Sequence, residues 1–221
     1  MMLKSLIWKQ NQLTDNCYFS RQSSGRLCFP GVYLWGLKPH NSRYEEMKKS
    51  EMRLYTCCFT GHRVLPQKDY MIIKNRLRER AEAAIRSGYR YFGCGGALGF
   101  DTLAARTVLE LREEHKHIRL ILVLPCKTQT KYWQKADITE YERIKKAADK
   151  VVYTSEEYTD DCMQRRNRHL VNNSSLCLCY LTKQTGGTAY TVWLARRNGL
   201  KVWNIAEENG AWSPIFKSRE W

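Results

Sequence analysis

From residue 52 onward, the sequence alternates between short apolar runs and longer amphipathic runs, and this alternation strongly constrains the fold. The runs 120–124 and 176–181 are almost continuously apolar, as expected of strands covered on both faces. The pattern predicts strands at 54–59, 89–92, 119–124, 150–153, 176–181 and 201–205, with helices at 69–87, 102–115, 138–149, 160–172 and 188–198. It therefore predicts an α/β protein with three layers, in which helices cover both faces of a mostly parallel sheet.

The composition argues against several classes of protein. No run of eighteen or more apolar residues occurs, so no membrane span is expected, and the N-terminus lacks the pattern of a secretory signal. The nine cysteines have no regular spacing and no CxxC pair. We therefore expect reduced thiols in a cytoplasmic protein, and the sequence indicates neither a metal site nor a cofactor.

Residues 1–51 differ from the rest because their glycines, prolines and apolar residues show no sustained period. We expect either a flexible extension or a non-native one, translated from a misplaced start upstream of Met47 or Met52. The folded domain is predicted at 52–206 and a C-terminal tail at 207–221. Residues 52–221 hold 29 Lys and Arg against 18 Asp and Glu, a net charge of +11. This charge either reflects an ordinary basic surface or serves to attract anionic partners.

Ligands of a parallel α/β sheet bind where the strands end, at the carboxyl edge of the sheet. In this sequence, glycine, hydroxyl and basic residues gather after several predicted strands, in the segments 60–63, 93–101, 164–169 and 182–188. Backbone amides and cationic side chains both stabilise anions, so these residue types suit a phosphate or a nucleotide.

The segment 92–101 places Gly95, Gly96 and Gly99 between a predicted strand and a predicted helix. Its spacing matches neither GxGxxG nor a Walker A loop. The missing side chains could let an anion reach the unpaired amides at the start of the helix. Alternatively, the glycines could only form a tight turn, with Asp101 as the helix N-cap. If Asp101 contacts a ligand, a ribose hydroxyl is the favoured group.

The predicted helix at 160–172 carries Arg166, Asn167 and Arg168. Arg166 and Asn167 share a face with Met163 and Leu170, and this face should be apolar. A half-buried arginine needs an acceptor, which could be a bound anion or a carboxylate of the protein itself. We favour the anion because departures from local sequence rules collect at functional sites.

Two more segments add candidates. Gly186, Gly187 and Thr188 again place glycines between a strand and a helix, either as a second half of a ligand cradle or as an ordinary turn. Gly61 and Arg63 follow the first strand, where Arg63 could pair with an anion or lie exposed in its loop.

These segments, taken in order, resemble the SLOG superfamily, which is named after the SMF/DprA and LOG proteins. The likeness runs from about residue 52 to residue 205, and the segments 131–133 and 141–143 are closer to its YpsA-like branch of small bacterial proteins. The resemblance implies a Rossmann-like fold and a nucleotide-type ligand. The expected ligand-binding residues are Gly61, Arg63, Gly95, Gly96, Gly99, Asp101, Arg166, Asn167, Arg168, Gly186, Gly187 and Thr188.

The resemblance leaves three activities open, of which we favour ligand binding in a sensing or regulatory role. LOG enzymes cleave the N-glycosidic bond of nucleotides with a glutamate, and Trp193 stands where that glutamate would be. Asp101 is then the remaining candidate for a catalytic carboxylate. DprA-like proteins bind single-stranded DNA, for which Tyr132, Trp133 and Tyr190 could stack on bases. A homo-oligomer is also compatible with the resemblance.

Overall fold

Six parallel strands form one sheet in the computed structural model, which describes residues 50–207. The predictions for residues 1–49 and 208–221 therefore lie outside the described residues. The strands are β1 (Thr56–Gly61), β2 (Tyr91–Cys94), β3 (Arg119–Leu124), β4 (Lys150–Tyr153), β5 (Leu176–Tyr180) and β6 (Lys201–Asn204). Their order across the sheet is β4-β3-β2-β1-β5-β6, and all five neighbouring pairs are parallel. The sequence predicted a mostly parallel sheet, and this fold class is confirmed.

Five α-helices connect the strands and cover both faces of the sheet. They are α1 (Tyr70–Arg86), α2 (Phe100–Glu114), α3 (Lys135–Ala147), α4 (Cys162–Asn172) and α5 (Gly187–Arg197), with a 3-10 turn at Gln67–Asp69 before α1. Buried residues of α1, α2 and α3 belong to one apolar cluster, and those of α4 and α5 belong to a second. The fold is therefore doubly wound, with three helices on one face and two on the other.

The strand sequences account for the two apolar clusters. Cys57 and Phe59 of β1 pack in the first cluster, whereas Cys58 between them packs in the second. In β5, Leu178 likewise packs in the first cluster and Cys179 in the second. Successive side chains of a strand point to opposite faces, so a strand covered on both faces needs apolar residues at every position.

The order of the strands reverses between β1 and β5. From β1 the chain moves through β2 and β3 to β4 at one edge of the sheet, and then crosses back to β5 and β6 on the other side of β1. The loops that follow β1 and β5 consequently lead to helices on opposite faces of the sheet, and we call the region between these loops at the carboxyl edge the crevice. In open α/β sheets this is the usual place for a ligand.

Several predicted element boundaries are wrong by about two residues. Residues 50–54 are helical, so the first strand begins at Thr56 rather than at residue 54. Helix α2 begins at Phe100, two residues earlier than predicted, because Gly99 with φ +72° ends the turn before it. A residue that can adopt a positive φ lets the chain enter the helix immediately after the turn.

Within residues 50–207, no helix is long and apolar enough to cross a membrane. The same part of the chain contains no group of three or more His, Cys, Asp or Glu residues placed to hold a metal ion. Its seven cysteines are all buried and form no disulfides.

Candidate functional site

Most of the predicted site residues form two clusters at the carboxyl edge, on either side of β1. The first consists of the β2–α2 turn, which contains Gly95, Gly96 and Gly99, together with Asp101 and Arg166. The second lies where the β1 loop meets the turn that opens α5. The two clusters differ in one respect that the sequence did not reveal: other protein atoms pack against the glycines of the first, whereas Gly186 and Gly187 of the second face open space.

Arg166 and Asp101 form a buried ion pair in the first cluster. Arg166 Nη1 lies 3.2 Å from Asp101 Oδ2, and the two residues are 7% and 6% exposed. A Cβ atom added to Gly95 would overlap the Arg166 guanidinium, so Gly95 is needed for this arginine to lie against the backbone. The acceptor that Arg166 needs is therefore supplied by a carboxylate of the protein itself.

Asp101 does not cap its helix, and that expectation was wrong. Gly99 is the N-cap residue, and within residues 50–207 no side chain caps the first turn of α2. Asp101 Oδ2 instead accepts from the backbone N–H of Ala97 at 3.3 Å and from Arg166. Burial raises the pKa of Asp101, and the positive charge of Arg166 partly opposes this rise. Asp101 thus closes the glycine turn and fixes Arg166.

Other parts of the protein also pack closely against the remaining glycines of the first cluster. A Cβ atom at Gly96 would contact the Leu124 side chain, and one at Gly99 would overlap the backbone of Arg63. Phe100 donates its N–H to the carbonyl oxygen of His62 at 3.1 Å, which occupies the first amide of α2. Tight packing by itself accounts for these glycines, and their role in ligand binding stays a prediction.

The geometry of α4 directs the side chains of three consecutive residues, Arg166, Asn167 and Arg168, to different sides of the helix. Asn167 donates from Nδ2 to Thr191 Oγ1 at 2.9 Å and so links α4 to α5. Arg168 is exposed, and it points away from Arg166 because two residues correspond to about 200° around a helix. Arg166 Nε is buried without a hydrogen-bond partner among the described residues. These three residues therefore do not converge on one ligand group.

The second cluster is the turn at Gly186–Thr188, which we call the α5 turn. Gly186 is the N-cap residue with φ +89°, and a Cβ atom added to Gly186 or Gly187 would meet nothing within 4 Å. The first helical hydrogen bond runs from Tyr190 N–H to the Gly186 carbonyl at 3.0 Å, so the amides that precede Tyr190 lack helical partners. Thr188 Oγ1 donates to the carbonyl oxygen of Gly61 at 2.9 Å and anchors the turn to the end of β1.

His62 joins the two sides of the crevice, and its role was not foreseen from the sequence. Its Nε2 atom accepts from the backbone N–H of Thr182 at 3.0 Å and lies 3.1 Å from the Thr182 hydroxyl. Its ring packs edge-on against Tyr180, with the ring centroids 5.8 Å apart. Partial burial lowers the pKa of His62, and the nearby Lys183 lowers it further. The sequence signal that could have identified His62 was its position in Thr-Gly-His-Arg, directly after β1.

Two basic side chains lie in the loops that border the crevice. Arg63 and Lys183 are exposed, and they lie in the loops that follow β1 and β5. The buried Asp101 is neutralised by Arg166 in the first cluster. An anion at the α5 turn would therefore meet amides without helical partners, with one basic residue in each of the two neighbouring loops.

Comparisons with known proteins agree with this fold. A UPF0398 protein of Halalkalibacterium halodurans is 31% identical over 128 residues, which cover 57% of this chain and 68% of the relative. A UPF0398 protein of Bacillus thuringiensis (strain Al Hakam) is 27% identical over 130 residues, which cover 58% and 71% of the two chains.

Two solved structures of the DNA processing protein A (DprA) share the fold. The protein from Streptococcus pneumoniae aligns with a TM-score of 0.51 at 16% identity, over 68% of this chain and 50% of that chain. The protein from Helicobacter pylori aligns with a TM-score of 0.50 at 18% identity, over 70% and 66% of the two chains. This chain thus spans half of the first protein and about two thirds of the second. A family model for YpsA, described as the YspA SLOG family, matches residues 59–201, and the chain therefore belongs to this family.

Proposed function

We propose that the protein binds a nucleotide or a nucleotide-derived ligand in the crevice between β1 and β5, with a phosphate group at the α5 turn. The observation that carries this proposal is the space at Gly186 and Gly187, where added Cβ atoms would meet nothing within 4 Å. In the β2–α2 turn, by contrast, protein atoms fill the corresponding positions. Membership in the SLOG family supports the same general class of ligand.

The electrostatics of the α5 turn suit a phosphate. Unpaired amides at the start of a helix carry partial positive charge and point toward the approaching anion. Arg63 and Lys183 add full positive charges from the two loops that border the crevice. We therefore assign phosphate binding to Gly186, Gly187, Thr188 and Arg63, and a structural role to Gly95, Gly96, Gly99, Asp101 and Arg166.

Binding in a sensing or regulatory role is favoured over catalysis. Trp193 lies on α5 where LOG enzymes have their glutamate, and its ring stacks on Tyr190 with centroids 5.9 Å apart. Asp101, the alternative carboxylate, is buried and paired with Arg166. An oxocarbenium-like transition state needs a carboxylate that can reach the sugar. We propose that this ligand-binding domain covers residues 52–206 of a cytoplasmic protein, and its buried free cysteines suit a reducing compartment.

Substitutions at Gly187 test the phosphate assignment. Gly187→Asp places a carboxylate at the open turn. Gly187→Asn is its control, because it introduces a neutral side chain of nearly the same shape. In calorimetric titrations with nucleoside mono-, di- and triphosphates, we expect Gly187→Asp to weaken binding of the nucleotide that the wild type binds by about tenfold or more, which corresponds to about 1.4 kcal/mol. Gly187→Asn should retain more of the affinity.

Gly187→Asp should also keep its fold, because an acidic side chain at the start of a helix stabilises the helix by about 0.3–1 kcal/mol. Unfolding midpoints of the three proteins check this point. If Gly187→Asp binds as tightly as the wild type, or if no nucleotide in the panel binds the wild type, the assignment is wrong.

Single-stranded DNA is a second candidate ligand. The DprA of Helicobacter pylori is described as binding single-stranded DNA. Here the partly exposed rings of Tyr190 and Trp193, both on α5, stack on each other. Arg197 lies 5.3 Å from the Trp193 ring centroid. Aromatic rings and basic side chains on one helix face are typical of surfaces that bind single strands. Affinity that falls steeply between 50 and 200 mM salt would support this candidate, and no binding at low salt would eliminate it.

A further inference from the structure

His62 connects the two loops that border the crevice. Its imidazole follows β1, and it accepts a hydrogen bond from the backbone of Thr182, which follows β5. The carbonyl oxygen of the same residue accepts from Phe100 at the start of α2. We call the contact between His62 Nε2 and the amide and hydroxyl of Thr182 the His62 latch.

The latch requires a neutral imidazole. The backbone N–H of Thr182 can only donate, so Nε2 must carry a free lone pair and the ring proton must sit on Nδ1. Protonation of Nε2 removes this acceptor and turns the atom into a charged donor. The loop from Thr182 to Gly187 would then lose one of its attachments to β1, next to the α5 turn.

The groups around His62 oppose its protonation when no anion is present. Lys183 of the β5–α5 loop lowers the pKa of His62, and burial lowers it more strongly. Tyr180 of β5 contacts the ring edge-on, and Arg63 is the next residue in the β1 loop. The Asp101 carboxylate at the start of α2 is already paired with Arg166. A dianion in the crevice would reverse this balance by attracting the imidazolium.

We propose that His62 is a proton-linked ligand-binding residue: when a phosphate-like dianion binds at the α5 turn, His62 takes up one proton from solvent, releases Thr182 and contacts the anion. This inference rests on the proposed function. A free protein with neutral His62 and a complex with protonated His62 differ by one bound proton. Affinity for a dianion must then rise as the pH falls through the interval between the pKa values of His62 in the two states.

Sulfate is a suitable probe because it stays dianionic across the useful pH range. Calorimetric or NMR titrations of the full chain with sulfate at pH 8.0 and pH 6.0 should show an affinity that is about tenfold higher at the lower pH, the order expected when one proton is linked over about one pH unit. Titrations in two buffers with different heats of ionisation should show proton uptake of up to one per bound sulfate near neutral pH.

His62→Gln provides the matched variant, because a glutamine oxygen can accept from the Thr182 amide but cannot take up a proton. Its sulfate affinity should change less than twofold between pH 8.0 and pH 6.0. His117→Gln changes an exposed histidine in the turn between α2 and β3 and should keep the wild-type pH dependence. If His62→Gln does not fold, proton uptake by the wild type still decides the question.

The outcomes separate this inference from the proposal on which it rests. Binding of sulfate or nucleotide with no proton uptake and no pH dependence overturns the role of His62 and leaves the α5 site intact. An unchanged pH dependence in His62→Gln overturns it as well. If neither sulfate nor any nucleotide binds at any pH, both the proposed function and this inference fail.

Discussion

At the scale of single residues, the decisive contact is the buried pair of Arg166 and Asp101. The sequence indicated that Arg166 needs an acceptor, but it could not identify that acceptor, because Asp101 lies 65 residues away along the chain. The structure brings the two together across Gly95 and uses the carboxylate of the protein where we had favoured a bound anion. An arginine on an apolar helix face is thus explained by a contact that only the tertiary fold creates.

Replacing Arg166 tests the structural role of this pair. Arg166→Met fills similar space but leaves the Asp101 carboxylate buried without its cation. We expect a loss of about 3–5 kcal/mol in the free energy of unfolding at pH 7.5. Burial already raises the pKa of Asp101 above its value in the unfolded chain, and losing Arg166 raises it further. The penalty is therefore present above the folded-state pKa and is relieved as the pH falls, because the folded state then binds the proton.

Urea unfolding of the wild type and of Arg166→Met at pH 7.5 and pH 5.0 measures the effect. The difference between the two proteins should be smaller at pH 5.0 than at pH 7.5. Asp101→Asn combined with Arg166→Met should recover part of the stability at pH 7.5. A difference that is independent of pH would show that Asp101 is not the group left uncompensated.

At the scale of elements, the two glycine turns look alike in sequence and differ in the structure. Both follow a strand, both precede a helix, and both contain a glycine N-cap with a positive φ. The strands and helices could be predicted because their apolar periods are local. Whether a turn is open or filled depends on distant side chains such as Leu124 and Arg166, and no local pattern contains that information.

Alanine substitutions compare the two turns directly. Gly95→Ala places a Cβ atom where the Arg166 guanidinium lies, and we expect it to lower the free energy of unfolding by about 1–3 kcal/mol. Gly187→Ala adds the same methyl group to open space at the first helical position, and it should be neutral or slightly stabilising. Chemical unfolding of both variants provides the test. Equal losses in the two variants would mean that the turns do not differ in packing.

At the scale of the whole molecule, strand order is the feature that the sequence did not provide. Alternation of strands and helices predicted the fold class, but the reversal between β1 and β5 places the crevice beside the α5 turn. The same reversal brings the end of β1, with Gly61 and His62, beside the α5 turn through the hydrogen bond from Thr188 to Gly61. A list of residues at strand ends therefore becomes a site only when the order of the strands is known.

The six strands and both apolar clusters described above lie within residues 50–207, close to the predicted domain of residues 52–206. A chain truncated to these residues should unfold in one cooperative transition and bind the same nucleotide with an affinity within about threefold of the full chain, which corresponds to less than about 1 kcal/mol. Loss of binding in a well-folded truncated chain would show that residues outside this range contribute to the site.

We propose that the phosphate binds at the α5 turn and not at the β2–α2 turn. Backbone amide NMR of isotopically labelled protein, titrated with the nucleotide that binds most tightly, tests it most directly. We predict the largest shifts at the amides of Gly186, Gly187 and Thr188, with smaller shifts near His62. Shifts that centre on Gly95, Gly96 and Gly99 while the α5 turn stays unchanged would contradict the account.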